Sequence, residues 1–130
     1  MERNILYSFF LPTFVAEMQK QNNHKELIDK ILIKEKRYCD PNFSAKQLAE
    51  MLGVTPYKLS KILQTEFGKS YADIVHSHRI EDAVRLFQDK RFDAYTVDDI
   101  GFMVGYRNRQ SFFSAFKNFT RQTPKHFRKM

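Results

Sequence analysis

The amino-acid sequence predicts an all-α fold, with two helix-turn-helix units joined by a long linker helix and an N-terminal helical extension. Three observations lead to this prediction. Apolar residues recur at the 3.6-residue spacing of amphipathic helices along most of the 130 residues. Only four Gly and four Pro interrupt these segments, and no segment shows the alternation of apolar and polar residues that is typical of a β-strand. A pattern of helix, glycine turn and helix also occurs twice.

The composition is that of a folded and basic chain. Hydrophobic residues make up 42% of it and include 13 Phe, which is enough to fill a core. The net charge is +7, and residues 91–130 carry eight basic and three acidic side chains. This asymmetry indicates a nucleic acid or a membrane surface as partner. The single cysteine, Cys39, excludes an intrachain disulfide and favours a reducing, cytoplasmic setting, with a structural or incidental role for the thiol.

Residues 1–40 are predicted to form the N-terminal helical extension. Its apolar stretch, residues 5–16, is interrupted by Pro12 and is shorter than the roughly 18 residues needed to span a bilayer, so no membrane insertion is expected. We interpret this stretch as a packing or self-association segment that would allow a homodimer, with a signal peptide or a former linker as alternatives. The spacing of apolar residues predicts a helix over about 25–38.

The first helix-turn-helix unit is predicted at about residues 44–67. Ser44 is the expected N-cap of its first helix, and Gln47 three residues later completes a capping box. After a glycine turn, Pro56 occupies the first position of the second helix, where its missing N–H costs nothing. Gly68 is expected to end that helix in the left-handed conformation.

A linker helix at about residues 71–89 and a second unit at about 96–119 follow. At 1.5 Å per residue the linker helix would be about 28 Å long. The seven side chains after Gly105 that carry a charge are all basic, and Phe side chains interleave with them at helical spacing. Helix N-caps are expected at Ser70, Thr96, Asn108 and Thr123.

The two units can be aligned on each other. LAEMLGV at 48–54 matches IGFMVGY at 100–106, and LSKILQ at 59–64 matches FFSAFK at 112–117. The offset changes from 52 to 53, which places one extra residue in the second turn. A single pattern of this kind is weak evidence because any helical hairpin can mimic it, but two in register joined by one helix are much more specific.

These residues resemble the DNA-binding domain of the AraC/XylS family of bacterial transcription regulators. The resemblance covers residues 41–130 and is most specific in TVDDIGFMVGYRNRQSFFSAFKNFTRQTPKHFR at 96–128. There an Asp-Ile pair, a Val-Gly-aromatic turn, a Phe-x-x-x-Phe-Lys helix and a Thr-Pro-x-x-aromatic-Arg ending match the family signature. The resemblance implies a cytoplasmic activator or repressor that binds double-stranded DNA and contacts RNA polymerase. No enzyme activity, metal or cofactor is expected, and a helical protein-interaction or dimerisation module with vestigial DNA binding is the alternative.

The sequence departs from the family pattern in three places. Arg121 stands where the family usually has a left-handed glycine, which costs an arginine about 1 kcal/mol and favours a different helix cap. Ser114 replaces a common arginine and removes one expected DNA contact. The 40 residues before the match are too few to form the effector-binding domain that family members often carry.

The resemblance implies that the second helix of each unit lies in the major groove, so that one chain reads two successive groove segments about 34 Å apart. Arg109 suits guanine and Gln110 suits adenine, because these side chains can pair with those bases bidentately. The alternative for each polar residue is a solvated helix face. Base or groove contacts are predicted for Tyr57, Lys58, Ser60, Lys61, Gln64, Arg107, Asn108, Arg109, Gln110, Ser111, Phe113 and Ser114. Phosphate contacts are predicted for Lys69, Lys117, Lys125, Arg128 and Lys129.

Further expectations concern residues that face inward. Phe112, Phe116 and Phe119 are assigned to the core of the second unit, and Phe113 is expected to be exposed. Arg79 falls on an apolar stripe of the linker helix and needs a partner, for which Asp99 is the hypothesis. His76 and His78 are two residues apart on a helix, cannot share a metal, and are expected at the surface.

Overall fold

The computed structural model describes residues 23–129, and within this range the chain is helical with no strand. Helix α1 covers residues 23–34 and takes π-helical hydrogen bonding at Asp29–Lys34. The remaining helices are α2 (Ala45–Leu52), α3 (Pro56–Phe67), α4 (Tyr71–Gln88), α5 (Val97–Met103), α6 (Arg109–Thr120) and α7 (Pro124–Lys129). Short 3-10 turns lie at Arg37–Cys39 and Lys90–Phe92. The predicted all-α fold with two helix-turn-helix units, α2–α3 and α5–α6, is confirmed.

Local side-chain caps begin the helices of both units. Ser44 and Gln47 form a capping box at α2, and Thr96 and Asp99 form the equivalent box at α5. In each box the hydroxyl accepts the backbone N–H three residues ahead, and the longer side chain accepts the N–H of the cap. These contacts use backbone donors that a helix leaves without partners, so they define where each unit begins.

Arg121 adopts the left-handed conformation that is expected of a glycine at this position. Its φ is +65°, and its N–H donates to the carbonyl of Lys117 at 2.8 Å. Gly68 ends α3 in the same way, with φ +66° and a bond to the carbonyl of Gln64. The expectation of a different cap after α6 is therefore wrong, because the repeated backbone geometry is kept although the glycine is missing.

The described part of the N-terminal extension packs against the first unit. Helix α1 ends at Lys34 rather than near Tyr38, because Lys36 takes a left-handed φ of 56° and starts the 3-10 turn Arg37–Cys39. Ile28, Leu32 and Tyr38 are buried in the core that α2 and α3 complete. The apolar stretch 5–16 and its predicted self-association lie outside the described residues.

Helix α4 runs through two separate apolar cores. Its first half gives Ile74 and Val75 to the core formed with α1, α2 and α3. Its second half gives Ile80, Ala83 and Phe87 to the core formed with α5 and α6. The linker helix is therefore the shared wall of both units, and 18 residues give it a length of about 27 Å.

Aromatic rings fill the second core. Phe112 and Phe116 are almost completely buried, and Phe87 and Phe127 contact the Phe116 ring edge-on with centroid separations of 5.7 and 5.6 Å. Phe119 does not join them, because 42% of its surface is exposed. Its assignment to the core is wrong, because it lines two open grooves along α4.

Candidate nucleic-acid interface

Helix α3 presents a polar face opposite its buried one. Leu59, Ile62 and Leu63 are buried in the first core, which leaves the other side of the helix free. Tyr57 is 71% exposed, and the Nζ atom of Lys61 lies 4.8 Å from the centre of its ring. The predicted reading residues of this helix are all exposed: Tyr57, Lys58, Ser60, Lys61 and Gln64.

Helix α6 presents the equivalent face in the second unit. Phe113 is half-buried rather than exposed, because it packs edge-on against Phe112 with a centroid separation of 6.1 Å. The guanidinium carbon of Arg109 lies 4.6 Å from the centre of the Phe113 ring. The exposed members of the predicted set here are Arg107, Asn108, Arg109, Gln110, Ser111 and Ser114.

Two residues of this predicted set also make side-chain hydrogen bonds to other described residues. Asn108 is the N-cap of α6, and its side-chain oxygen accepts the backbone N–H of Ser111 at 2.8 Å. Arg107 donates to the side-chain oxygen of Asn42. A base contact by either residue would have to replace or share these hydrogen bonds.

Asp98 is a neighbour of the interface that the sequence did not reveal. Its Oδ1 atom lies 3.6 Å from Nε of Arg109, which is too long for a hydrogen bond, and this buried oxygen has no hydrogen-bond partner among residues 23–129. Arg109 therefore lies between an aromatic ring and a carboxylate. Asp98 follows the N-cap Thr96 by two residues, and that position alone gave no sign of a contact across the unit.

The predicted pair of Arg79 and Asp99 does not form. Asp99 accepts the backbone N–H of Thr96, and this hydrogen bond lowers the pKa of its carboxyl group. Arg79 instead donates to the backbone carbonyls of Tyr38 and Asp40, and its guanidinium lies 4.9 Å from the centre of the Tyr106 ring. Carbonyl oxygens thus take the place of the expected carboxylate.

The predicted phosphate contacts fall into two groups. Arg128 ties α7 to the segment after α4 by donating to the carbonyls of Phe92 and Asp93, both at 3.1 Å, and it lies over the Phe87 ring. These hydrogen bonds use one terminal nitrogen of Arg128, and its phosphate contact stays a prediction. The other four side chains are exposed: Lys69, Lys117, Lys125 and Lys129.

Buried polar groups lie along α4 on the side of the 3-10 turn Arg37–Cys39. Asp82 is almost fully buried and accepts from the Tyr38 hydroxyl, with Arg85 as its ion-pair partner. Burial raises the pKa of the Cys39 thiol, which disfavours the reactive thiolate. His76 and His78 are half-buried rather than at the surface, and Nδ1 of His76 lies 2.6 Å from the Tyr106 hydroxyl.

Two further properties hold for residues 23–129. No group of three or more His, Cys, Asp or Glu side chains is arranged to hold a metal ion. None of the helices in this range combines the length and the apolar character needed to cross a membrane.

Comparison with known proteins gives consistent matches. A family model described as "Helix-turn-helix domain" matches residues 48–130, which is more than half of the chain. An uncharacterized HTH-type transcriptional regulator of Staphylococcus aureus (strain MSSA476) is 33% identical over 87 residues, covering 67% of this chain and 11% of that protein. The xylose operon regulatory protein of Escherichia coli (strain K12) is 26% identical over 122 residues, covering 90% of this chain and 30% of that protein.

A solved structure extends the match to three dimensions. The C-terminal domain of the two-component response regulator yesN from Fusobacterium nucleatum is 30% identical, with a TM-score of 0.73 over 82% of this chain and 98% of that domain. The chain spans less than a third of the length of either sequence relative. With the family signature, the two aligned units and these matches together, the chain belongs to the AraC/XylS family of helix-turn-helix DNA-binding domains.

Proposed function

We propose that this chain is a sequence-specific transcription regulator that reads two successive major-groove segments of double-stranded DNA with α3 and α6. One observation carries the proposal: the second helix of each unit has one face buried in its own core and the opposite face exposed and polar. This is the arrangement that a recognition helix needs, because the buried face holds the helix in place and the free face meets base edges.

The chemistry of the two faces differs. On α3, Lys61 can reach a guanine or a phosphate, while Tyr57 offers an aromatic face to a thymine methyl group. The contact between these two side chains reduces the freedom that each has to lose on binding. On α6, Gln110 matches adenine and Arg109 matches guanine, with the Phe113 ring beneath the guanidinium.

Charge supports the same assignment. The stretch from Gly105 to Met130 contains seven basic residues and no acidic one. The exposed lysines near α6 and α7 are Lys117, Lys125 and Lys129, which suit phosphates rather than bases. Each phosphate that a lysine neutralises releases a counterion, so affinity should fall as salt rises.

The length of α4 supports reading by a single chain. At about 27 Å it is comparable with the roughly 34 Å of one turn of B-DNA. One chain can then reach two major-groove segments on one face of the duplex without a second copy. The site is expected to be non-palindromic, because α3 and α6 carry different side chains.

The proposal extends to two protein partners and a setting in the bacterial cytoplasm. RNA polymerase is a proposed partner because a transcription activator acts by contacting it, and residues 1–40 are the proposed site of a homodimer. Light scattering of the full chain, with and without its DNA site, tests the dimer. A mass of one chain per DNA site at all concentrations would contradict it.

Selection from a random pool of DNA duplexes, followed by titration of the winning site at two salt concentrations, tests the main proposal. We expect a defined site with two separated conserved blocks, and a loss of affinity with salt whose slope is about 0.9 per phosphate contacted. Gln110→Ala should weaken binding to that site, whereas Gln88→Ala, an exposed glutamine at the end of α4, serves as the matched control. Absence of binding at low salt would favour the protein-interaction module instead.

A further inference from the structure

The segment that leads into the first unit touches the turn of the second unit. Arg107 donates to the side chain of Asn42, 65 residues earlier in the chain. Gly105 has a φ of +114°, and a Cβ atom built on it would lie 2.6 Å from the carbonyl oxygen of Cys39. The two chain segments are therefore in direct backbone contact, with no room for a side chain between them.

Arg79 joins these two segments from the linker helix. Its guanidinium donates to the carbonyls of Tyr38 and Asp40 on one side and lies 4.9 Å from the centre of the Tyr106 ring on the other. A Cβ atom on Gly105 would lie 2.9 Å from its Nε atom. Arg79 is itself part of α4, and its side chain contacts both the segment before the first unit and the turn of the second unit.

Each segment is also attached to α4 by a second contact. The Tyr38 hydroxyl donates to the buried carboxylate of Asp82. The Tyr106 hydroxyl lies 2.6 Å from Nδ1 of His76, and the two rings stack with a centroid separation of 5.6 Å. Arg79 therefore connects two segments that are each fixed to α4, so its contacts can fix the orientation of one unit relative to the other.

A shared helix does not by itself settle how two units face each other. The apolar cores of the units are separate, and bending or twisting of α4 between them would turn α6 relative to α3. We infer that Arg79 is a positioning residue: by clamping the segment before α2 to the turn after α5, it sets the one spacing at which α3 and α6 can read DNA together. This inference rests on the proposed function.

The test is the discrimination between half-site spacings. Starting from the selected site, one or two base pairs are inserted or removed between its two blocks. Each base pair inserted or removed rotates one block by about 34–36° relative to the other. With the full chain we expect at least about a tenfold loss of affinity on the altered sites, because one reading helix loses its base contacts. A duplex that keeps only one block is measured alongside.

Arg79→Ala should reduce this discrimination to about threefold or less while leaving affinity for the single block unchanged. Asn42→Ala, which removes only the exposed contact to Arg107, should reduce it in the same direction by a smaller factor. Arg91→Ala is the matched control, since this exposed arginine pairs with Asp89 away from the clamp. A merely structural role for Arg79 would change thermal stability without changing the ratio between spacings.

The outcomes separate the inference from the function. If the wild-type chain discriminates between spacings and folded Arg79→Ala does so equally well, the clamp is wrong and the DNA-binding proposal stands. If Arg79→Ala does not fold, an unchanged ratio for Asn42→Ala overturns the inference. If the wild-type chain binds no DNA at all, it is the proposed function that fails.

Discussion

Replacing Gly101 with alanine is expected to destabilise the second unit, although alanine is the better helix former. Gly101 lies within α5, and a Cβ atom built on it would lie 2.6 Å from Cδ2 and 2.9 Å from Cγ of Phe112. Only 1% of the Phe112 surface is exposed, and its ring is surrounded by other aromatic side chains. The ring has nowhere to move, so α5 and α6 would have to separate.

The magnitude follows from two opposing terms. Overpacking of a dense core costs about 1–3 kcal/mol. The change from glycine to alanine in a helix returns about 1 kcal/mol. The expected net loss is about 1 kcal/mol of unfolding free energy, which for a domain of this size lowers the melting temperature by about 4 °C.

The internal repeat supplies the control. The first unit has Ala49 and Leu59 at the positions equivalent to Gly101 and Phe112, which indicates that the smaller ring-free side chain accommodates the extra methyl group. Phe112→Leu alone should cost about 1 kcal/mol, and the two changes together should cost less than their sum by a similar amount. Urea unfolding of the four proteins measures this coupling. If Gly101→Ala is as stable as the wild-type chain, α5 and α6 do not approach as closely as described.

Three further predictions, which use four substitutions, test other parts of the structure. Arg121→Gly should raise the unfolding free energy by about 0.5–1 kcal/mol in urea, because glycine adopts the left-handed conformation without strain; a fall would reveal a stabilising contact of the arginine. Burial, and then the charge of Arg79, lower the pKa of His76 below its ordinary value of 6.5, so the unfolded chain binds the proton first and the stabilisation present above about pH 6.5 is lost as pH falls through the folded pKa. Melting curves between about pH 7.5 and 5.5 should therefore show a larger loss for the wild-type chain than for His76→Gln, and parallel losses would contradict this assignment. Arg109→Ala should cost about 1–3 kcal/mol at one base pair of the selected site and relax specificity there, whereas Lys117→Ala should weaken all sequences alike and lower the salt slope by about 1; equal loss on every sequence for both would remove Arg109 from base reading.

The helices and their caps were predictable because the information is local. The capping boxes at Ser44 and Thr96 each involve residues only three positions apart, and the glycine after α3 marks its end directly. The buried face of α3 followed from the spacing of Leu59 and Ile62. The exposed faces of α3 and α6 were predictable as well, because they lie opposite the buried faces.

The partners of half-buried charges were not predictable in the same way. The spacing of its neighbours showed that Arg79 needs a partner, but the carbonyls that it contacts belong to Tyr38 and Asp40, and backbone oxygens carry no sequence signature. The same applies to Arg128 and the carbonyls after α4. Helical periodicity also misplaced Phe119, because it reports which side of α6 a residue occupies and not where the neighbouring helix leaves that side uncovered.

The division of α4 between two apolar cores has a consequence for how the molecule opens. A backbone amide near the middle of α4 exchanges with solvent only when both helix-turn-helix units unfold. Amides in α3 or α6 exchange when their own unit unfolds. The slowest hydrogen exchange should therefore be that of amides in the middle of α4, close to Arg79, and not of amides in α3 or α6. A transient fraying of one end would leave the opposite end folded, so a bound chain could release one stretch of duplex while it keeps hold of the next.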